Sequence, residues 1–320
     1  MGSFIFRDMA KAWQGRACIL CYHRIHPNSK FDKYTYPNGN IISESAFNDQ
    51  MKLLSNEYDV ISIDDMSNHL LSSSNDFKVA ITFDDGYKDN LTIALPILKK
   101  YNIPATIYIV TRFPEGDTWM WWNEIWDCLI NIKKLDICFM GKLKIYKIAS
   151  INNKKKCFLE LVKWILSLEV EDQKKLMTKI SGNSKRRQYP ELCLNWNDIK
   201  HLDSNRLITI GAHTHSHHQL KNLSYKRSFY EIKKSKEILE GKLSHKIGHF
   251  AYPFGGVNDF SKKDSRIVRL CGFDTAVTTI KKPINRYDRH SIPRILIQDY
   301  MSENGFKAVL SGWSNFLSSH

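Results

Sequence analysis

Val79-Ala80-Ile81-Thr82-Phe83-Asp84-Asp85-Gly86-Tyr87 is the stretch on which the reading of this chain turns. An apolar, β-branched run passes directly into two adjacent carboxylates and a glycine. A run with no polar alternation suits a strand buried on both faces. Acids just past its carboxyl end lie where parallel α/β sheets and barrels meet their ligands. Neighbouring strand residues point to opposite faces, so Asp84 and Asp85 share one site only if the chain turns, which Gly86 permits. Two such acids repel unless a cation takes one; without it, the stretch is a strand ending in an Asp-rich turn.

Outward from this stretch, similar runs recur at 17–22, 105–110, 207–210, 248–252, 275–277 and 294–297. Amphipathic segments at 45–56, 90–101, 225–240 and 261–270 separate them. In the third, Phe229, Ile232 and Leu239 repeat at helical spacing and Gly241 supplies a stop. Alternation of strand and helix predicts a parallel sheet, open or closed, and a distorted (β/α) barrel is the favoured α/β architecture. Residues 1–320 read as one domain. Residues 117–190 break the rhythm and read as a mostly helical insertion. It opens with an aromatic cluster from Trp119 to Trp126, including Trp122, that either packs the insertion or stacks on sugar rings.

Composition narrows the class. Hydrophobic residues at 42% and charged residues at 25% exclude wholesale disorder. No apolar run approaches the ~18 residues of a membrane span. The 7 cysteines, odd in number and scattered, read as reduced thiols. Cys18 and Cys21 fall in an apolar run and read as buried strand residues. The first residues lack the pattern of a signal peptide, and a cytoplasmic setting is expected. Against 33 acidic residues stand 47 basic ones, a net +14 that favours an anionic partner: nucleic acid, acidic lipid or a phosphorylated substrate. The excess is diffuse, with small clusters at 154–156 and 185–187 that read as solvated. Aromatics are not interleaved with them, which makes nucleic acid the weakest of the three. Phe306, Val309, Leu310, Trp313, Phe316 and Leu317 form an apolar stripe that docks on the core or, with Phe4, Ile5, Phe6 and Trp13, on a membrane surface.

A second motif follows the run at 207–210: His213-Thr214-His215-Ser216-His217-His218. In extended chain, four residues separate His213 from His217 by about 13 Å, too far to share an ion. In a helical turn their Cβ atoms come within about 6 Å. With one Asp they make a two-His, one-carboxylate set that leaves coordination positions open and suits Zn2+, with Co2+, Ni2+ or Mn2+ also accommodated. His215 and His218 receive no role.

Together these residues resemble the polysaccharide deacetylases of the NodB-homology group, carbohydrate esterase family four. Thr82-Phe83-Asp84-Asp85-Gly86 is similar to that family's first motif and His213 to His217 to its second. The resemblance implies a distorted (β/α) barrel that removes an N-acetyl group from an amino sugar with a divalent metal. It implies Asp84 as general base and Asp85, His213 and His217 as metal ligands. Phe250-Ala251-Tyr252-Pro253-Phe254-Gly255 resembles the third motif, in which Phe254 lends a backbone N–H to an oxyanion. Ala251 stands where the family carries an Arg, and Arg294 is the candidate replacement. The usual C-terminal His motif is missing. His290 is one candidate acid; His23, in Tyr22-His23, resembles the early Tyr-His element of a subgroup and is preferred. Tyr87, Tyr252 and Trp122 are expected to contact substrate. The expected substrate is an N-acetylated glycan precursor, lipid-linked or nucleotide-linked. The missing Arg and displaced acid also motivate a catalytically silent carbohydrate-binding barrel.

Overall fold

The computed structural model describes residues 16–27, 40–183, 185–284, 288–298 and 302–311. These fall into two compact units: one takes in the described residues up to Glu115 and from Leu192 onward, the other Gly116–Glu191. The strands, in chain order, are β1 Ala17–Tyr22, β2 Arg24–His26, β3 Ile41–Ser43, β4 Asp59–Val60, β5 Lys78–Phe83, β6 Ala105–Ile109, β7 Lys134–Phe139, β8 Lys142–Lys147, β9 Ile208–Ala212, β10 His249–Ala251, β11 Thr275–Val277 and β12 Ile295–Leu296.

In the first unit, β11-β10-β9-β6-β5-β1-β12 form one sheet, and β4 adds beside β5. Every pairing within it is parallel. All residues of β1 and β6 are buried, as expected of strands covered by helices on one face and by the barrel interior on the other. The sheet curls until one short segment serves both edges. Ile292 bridges Val277 of β11, while Ile295 and Leu296 pair with Leu20 and Cys21 of β1. The fold is thus a distorted (β/α) barrel. Gly211 is required by a close approach, because a Cβ there would lie 2.4 Å from Tyr108 Cδ1.

Helices flank the strands close to their expected positions, with two differences. The segment at 90–101 starts as a π turn, Asn90–Ala94, before the α-helix Leu95–Tyr101. The helix Tyr225–Leu243 runs through Gly241 and stops at Ser244 (φ 63°), whose N–H donates to the Glu240 carbonyl at 2.8 Å. Glycine inside a helix costs only about 1 kcal/mol, which the packing of Ile232 and Leu239 outweighs. In the helix Glu303–Leu310, Phe306, Val309 and Leu310 are buried, so this part of the terminal stripe docks on protein. Trp313, Phe316, Leu317, Phe4, Ile5, Phe6 and Trp13 lie outside the described residues. Among the described residues no helix is long and apolar enough to cross a membrane.

The second unit holds helices Trp121–Ile130, Ile151–Leu166 and Val170–Ser181 and an antiparallel hairpin, β7–β8. Lys154 is not the solvated residue expected: it is buried, and its ammonium donates to the carbonyls of Leu129, Ile130 and Ile132, closing the helix Trp121–Ile130. The end of a helix leaves carbonyls unpaired, and a cation satisfies both their hydrogen-bonding and their partial charge.

Candidate active site

Asp84 and Asp85 follow β5 directly, and their side chains go to different partners. The Asp84 N–H donates to the Tyr22 carbonyl at 3.0 Å, which continues the β1–β5 pairing one step. Asp85 then adopts φ 73° and Gly86 φ 76°, a left-handed reversal that takes both carboxylates out of strand alternation. Asp84 is almost wholly buried and receives Arg294 in a bidentate pair, Nη1 to Oδ1 at 2.7 Å and Nη2 to Oδ2 at 2.6 Å. Arg294 Nη1 also reaches Thr82 Oγ1 (3.0 Å), its Nε donates to the Thr278 carbonyl (3.1 Å), and its guanidinium lies 5.5 Å from the Tyr108 ring centroid. Burial opposes charge on Asp84, yet Arg294, with His213 adding to it, holds the carboxyl down at about 2. Such a fork fixes orientation as well as charge.

Asp85 faces the histidines. Its Oδ1 lies 3.2 Å from His217 Nε2 and 3.5 Å from His213 Nε2, and the three donor atoms lie within 4.8 Å of one another. They are not carried on the helical turn that the spacing suggested. His213 directly follows β9, its N–H on the Ile109 carbonyl at 2.9 Å, and the chain doubles back through Thr214 (φ 64°) to His217 (φ 56°). The ring centroids of the two histidines come to 5.0 Å. Of the seven non-glycine residues with positive φ among the described residues, Asp85, Thr214, His217 and Phe254 all lie here. Each costs on the order of 1–3 kcal/mol and is retained where a site demands it.

The set fits a divalent first-row metal. Asp85 Oδ1 is buried and accepts no hydrogen bond. His213 Nδ1 is 2.8 Å from the Ala251 carbonyl, which fixes the tautomer with Nε2 toward Asp85. Burial resists charge on Asp85, but His217 and His213 hold it well below the usual carboxylate range.

His23 joins the same centre. Donor atoms of Cys21, His23 and Asp84 lie within 4.8 Å, and His23 Nδ1 is buried without a hydrogen-bond partner. Burial lowers the His23 pKa, against the opposing pull of Asp85 and Asp84. Phe254 also belongs here, its ring 5.0 Å from that of His217. Four other expected residues are placed as follows. Tyr252 is fully buried, stacked on Phe260 at 4.1 Å, with its hydroxyl on the His290 carbonyl. Tyr87 is equally buried, beneath the Arg24 guanidinium. Trp122 lies in the interior of the second unit, edge-on to Trp121. His290 is buried with Nε2 3.0 Å from the Phe273 carbonyl and is not part of this cluster.

Several supporting residues went unread in the sequence. Cys21 Sγ donates to Asp84 Oδ2 at 3.5 Å; its i, i+2 relation to His23 was the available signal. Asn90 Nδ2 donates to the His23 carbonyl (2.8 Å), and buried Asp89 accepts from the Ile25 N–H and from Arg24. Glu231 accepts the Ser216 N–H at 2.8 Å, and its backbone carbonyl takes the His215 N–H, so one helix pins the histidine loop.

The polysaccharide deacetylase family model matches residues 72–134 and 162–275, more than half of the chain. A stretch of 34 residues is 56% identical to YxkH of Bacillus subtilis (strain 168), a protein placed among the polysaccharide deacetylases; it spans 11% of this chain and 12% of that protein. Among solved structures, the Streptococcus pyogenes deacetylase PplD, in complex with acetate, aligns with TM-score 0.61 and 20% identity over 92% of this chain and 97% of that one. IcaB from Ammonifex degensii aligns with TM-score 0.59 and 18% identity over 93% and 97%. A de-N-acetylase from Aggregatibacter actinomycetemcomitans gives TM-score 0.59 and 16% identity over 91% and 98%. At these identities the structures speak for the barrel, whereas the family model reads the chain itself, across the acidic pair and the histidine loop: this chain belongs to the polysaccharide deacetylase family.

Proposed function

We propose that this chain is a metal-dependent hydrolase that removes the acetyl group from an N-acetylated amino sugar in a surface-glycan precursor, releasing acetate. The observation that carries the reading is the division of labour between adjacent carboxylates: Asp84 is clamped by Arg294, and Asp85 faces two imidazole Nε2 atoms. Asp85, His213 and His217 would hold the ion, with Zn2+ preferred and Co2+, Ni2+ or Mn2+ accommodated. When bound, the ion supplies positive charge that polarises an amide carbonyl and acidifies water.

Asp84, kept ionised, accepts the proton of the attacking water, and Arg294 holds the carboxylate in line. The backbone N–H of Phe254 donates to the oxyanion as the carbonyl becomes tetrahedral. His23, protonated, gives its proton to the departing nitrogen, because an unprotonated amine is a poor leaving group. The C–N bond breaks, and acetate and a free amine result.

All seven cysteines are free thiols, which supports a reducing, cytoplasmic setting and a lipid-linked or nucleotide-linked substrate over a finished external polymer. The test is acetate release by the purified metal-loaded protein, paired with mass spectrometry of glycan intermediates from cells carrying the chain or Asp84→Asn. An intermediate heavier by one acetyl group in the variant is expected. Unchanged glycans, with no acetate released by either protein, would leave only a carbohydrate-binding barrel.

A further inference from the structure

We propose that the β7–β8 hairpin of the second unit is a docking surface for an anionic lipid bilayer. Its register sets Cys138 opposite Leu143, Asp136 opposite Ile145 and Lys134 opposite Lys147 on one face. The other face carries Leu135, Ile137 and Phe139, all buried. Toward the tip the outward face is apolar, with Met140 66% exposed, Leu143 65% and Ile145 55%, while Asp136, paired with Lys134 at 2.6 Å, and Lys147 make its base polar. Cys138 beside them is exposed too.

The turn sharpens the point. Met140 (φ 50°) and Gly141 (φ 73°) are the two central residues between paired Phe139 and Lys142, a turn with both φ values positive. Such turns favour Asn, Asp or Gly first, and a bulky side chain there carries a backbone cost. Met140 recovers little of that cost by packing, since it is 66% exposed. An apolar phase outside the protein would supply the missing contact.

Charge names the phase. Between residues 131 and 166 the chain has nine lysines, seven of them exposed, against two acidic residues. Lys142 flanks the tip and Lys147 stands at the hairpin base, both exposed, while Lys134 beside it pairs with Asp136. The Cys138–Leu143 level lies two residues, about 7 Å, beyond the Asp136–Ile145 level. That matches the depth of roughly 5–10 Å to which apolar groups enter the headgroup–acyl boundary. Lysines behind such a tip meet anionic headgroups, and their stems lie along the apolar surface.

The inference does not depend on the enzymatic reading, and its test needs no substrate. The full chain is floated with vesicles of phosphatidylcholine alone or mixed with phosphatidylglycerol, at low and high salt. Binding to the mixed vesicles at low salt is expected, with little to phosphatidylcholine alone. Met140→Ser with Leu143→Ser should lower partitioning by about tenfold or more. Lys142→Gln and Lys147→Gln should each lower it about fivefold. Hydrogen exchange over 138–145 should slow on anionic vesicles, and melting curves confirm that the variants fold. Unchanged binding by the Met140/Leu143 variant, or no binding by the parent chain, overturns the proposal. So does loss of self-association in that variant without loss of vesicle binding, which would assign the face to a second copy.

Discussion

Arg294 and His23 would impose opposite requirements on one small volume: the first keeps Asp84 charged, and the second, as the proposed acid, would carry a proton that burial discourages. Without Arg294, the burial that disfavours charge on Asp84 is opposed only by the weaker pull of His213 and His23. Arg294→Gln should therefore move the acidic limb of the kcat/KM profile to higher pH. It should also lower stability by about 3–5 kcal/mol, the cost of stranding a buried charge; pH–rate profiles and urea unfolding check the two effects. His23→Ala should cost about 10²–10⁴-fold on an acetamide. An aryl acetate, whose phenolate leaves without a proton, should be nearly unaffected, whereas Asp84→Asn should fail on both. Equal losses on both substrates would remove His23 from the acid role. Arg294 itself was legible in the sequence only as the arginine to fill a gap at Ala251; its path to Asp84 depends on a segment 210 residues away.

Elements explain what the sequence showed and what it hid. The strands were legible because strands buried on both faces are runs of apolar, β-branched residues, as in Ala17–Tyr22 and Thr275–Val277. The hairpin β7–β8 was hidden because Lys142-Leu143-Lys144-Ile145-Tyr146-Lys147 has a period of two inside a lysine-rich stretch whose longer segments are helical. Nearness to a motif in sequence says nothing about burial, and Tyr87, Tyr252 and Trp122 are all buried. The histidine loop was read as helical because spacing alone cannot reveal left-handed residues such as Thr214 and His217. That loop leans on Glu231, so Glu231→Ala should weaken metal affinity about 10–100-fold and Glu231→Gln, which keeps an acceptor, much less. Competition against a chromogenic chelator measures both. In β9, Gly211→Ala should cost about 1–3 kcal/mol in thermal unfolding, because the new methyl group meets Tyr108.

At the scale of the molecule, the two acids link stability to metal and to pH. A chelator should abolish acetate release and lower the melting temperature. At a metal concentration a hundred times Kd, the restored ion adds about 2.7 kcal/mol, roughly 4 °C for a chain of 320 residues. The contribution of Asp84 is fully present above pH 3.8, its ordinary value, and is lost as pH falls through about 2. Denaturant unfolding between pH 5 and 2 should show a loss on the order of 2–3 kcal/mol from this group, absent in Arg294→Met. The segment that closes the sheet between β11 and β1 is also the one that carries Arg294. A ribosome completes Asp84, Asp85, His213 and His217 well before it reaches that segment. A nascent chain halted at residue 290 would have every proposed ligand and the proposed base, yet an open sheet and an unclamped carboxylate. The clamp that fixes the proposed base therefore arrives together with the segment that closes the barrel, so a halted chain would hold Asp84 without the partner that keeps it charged.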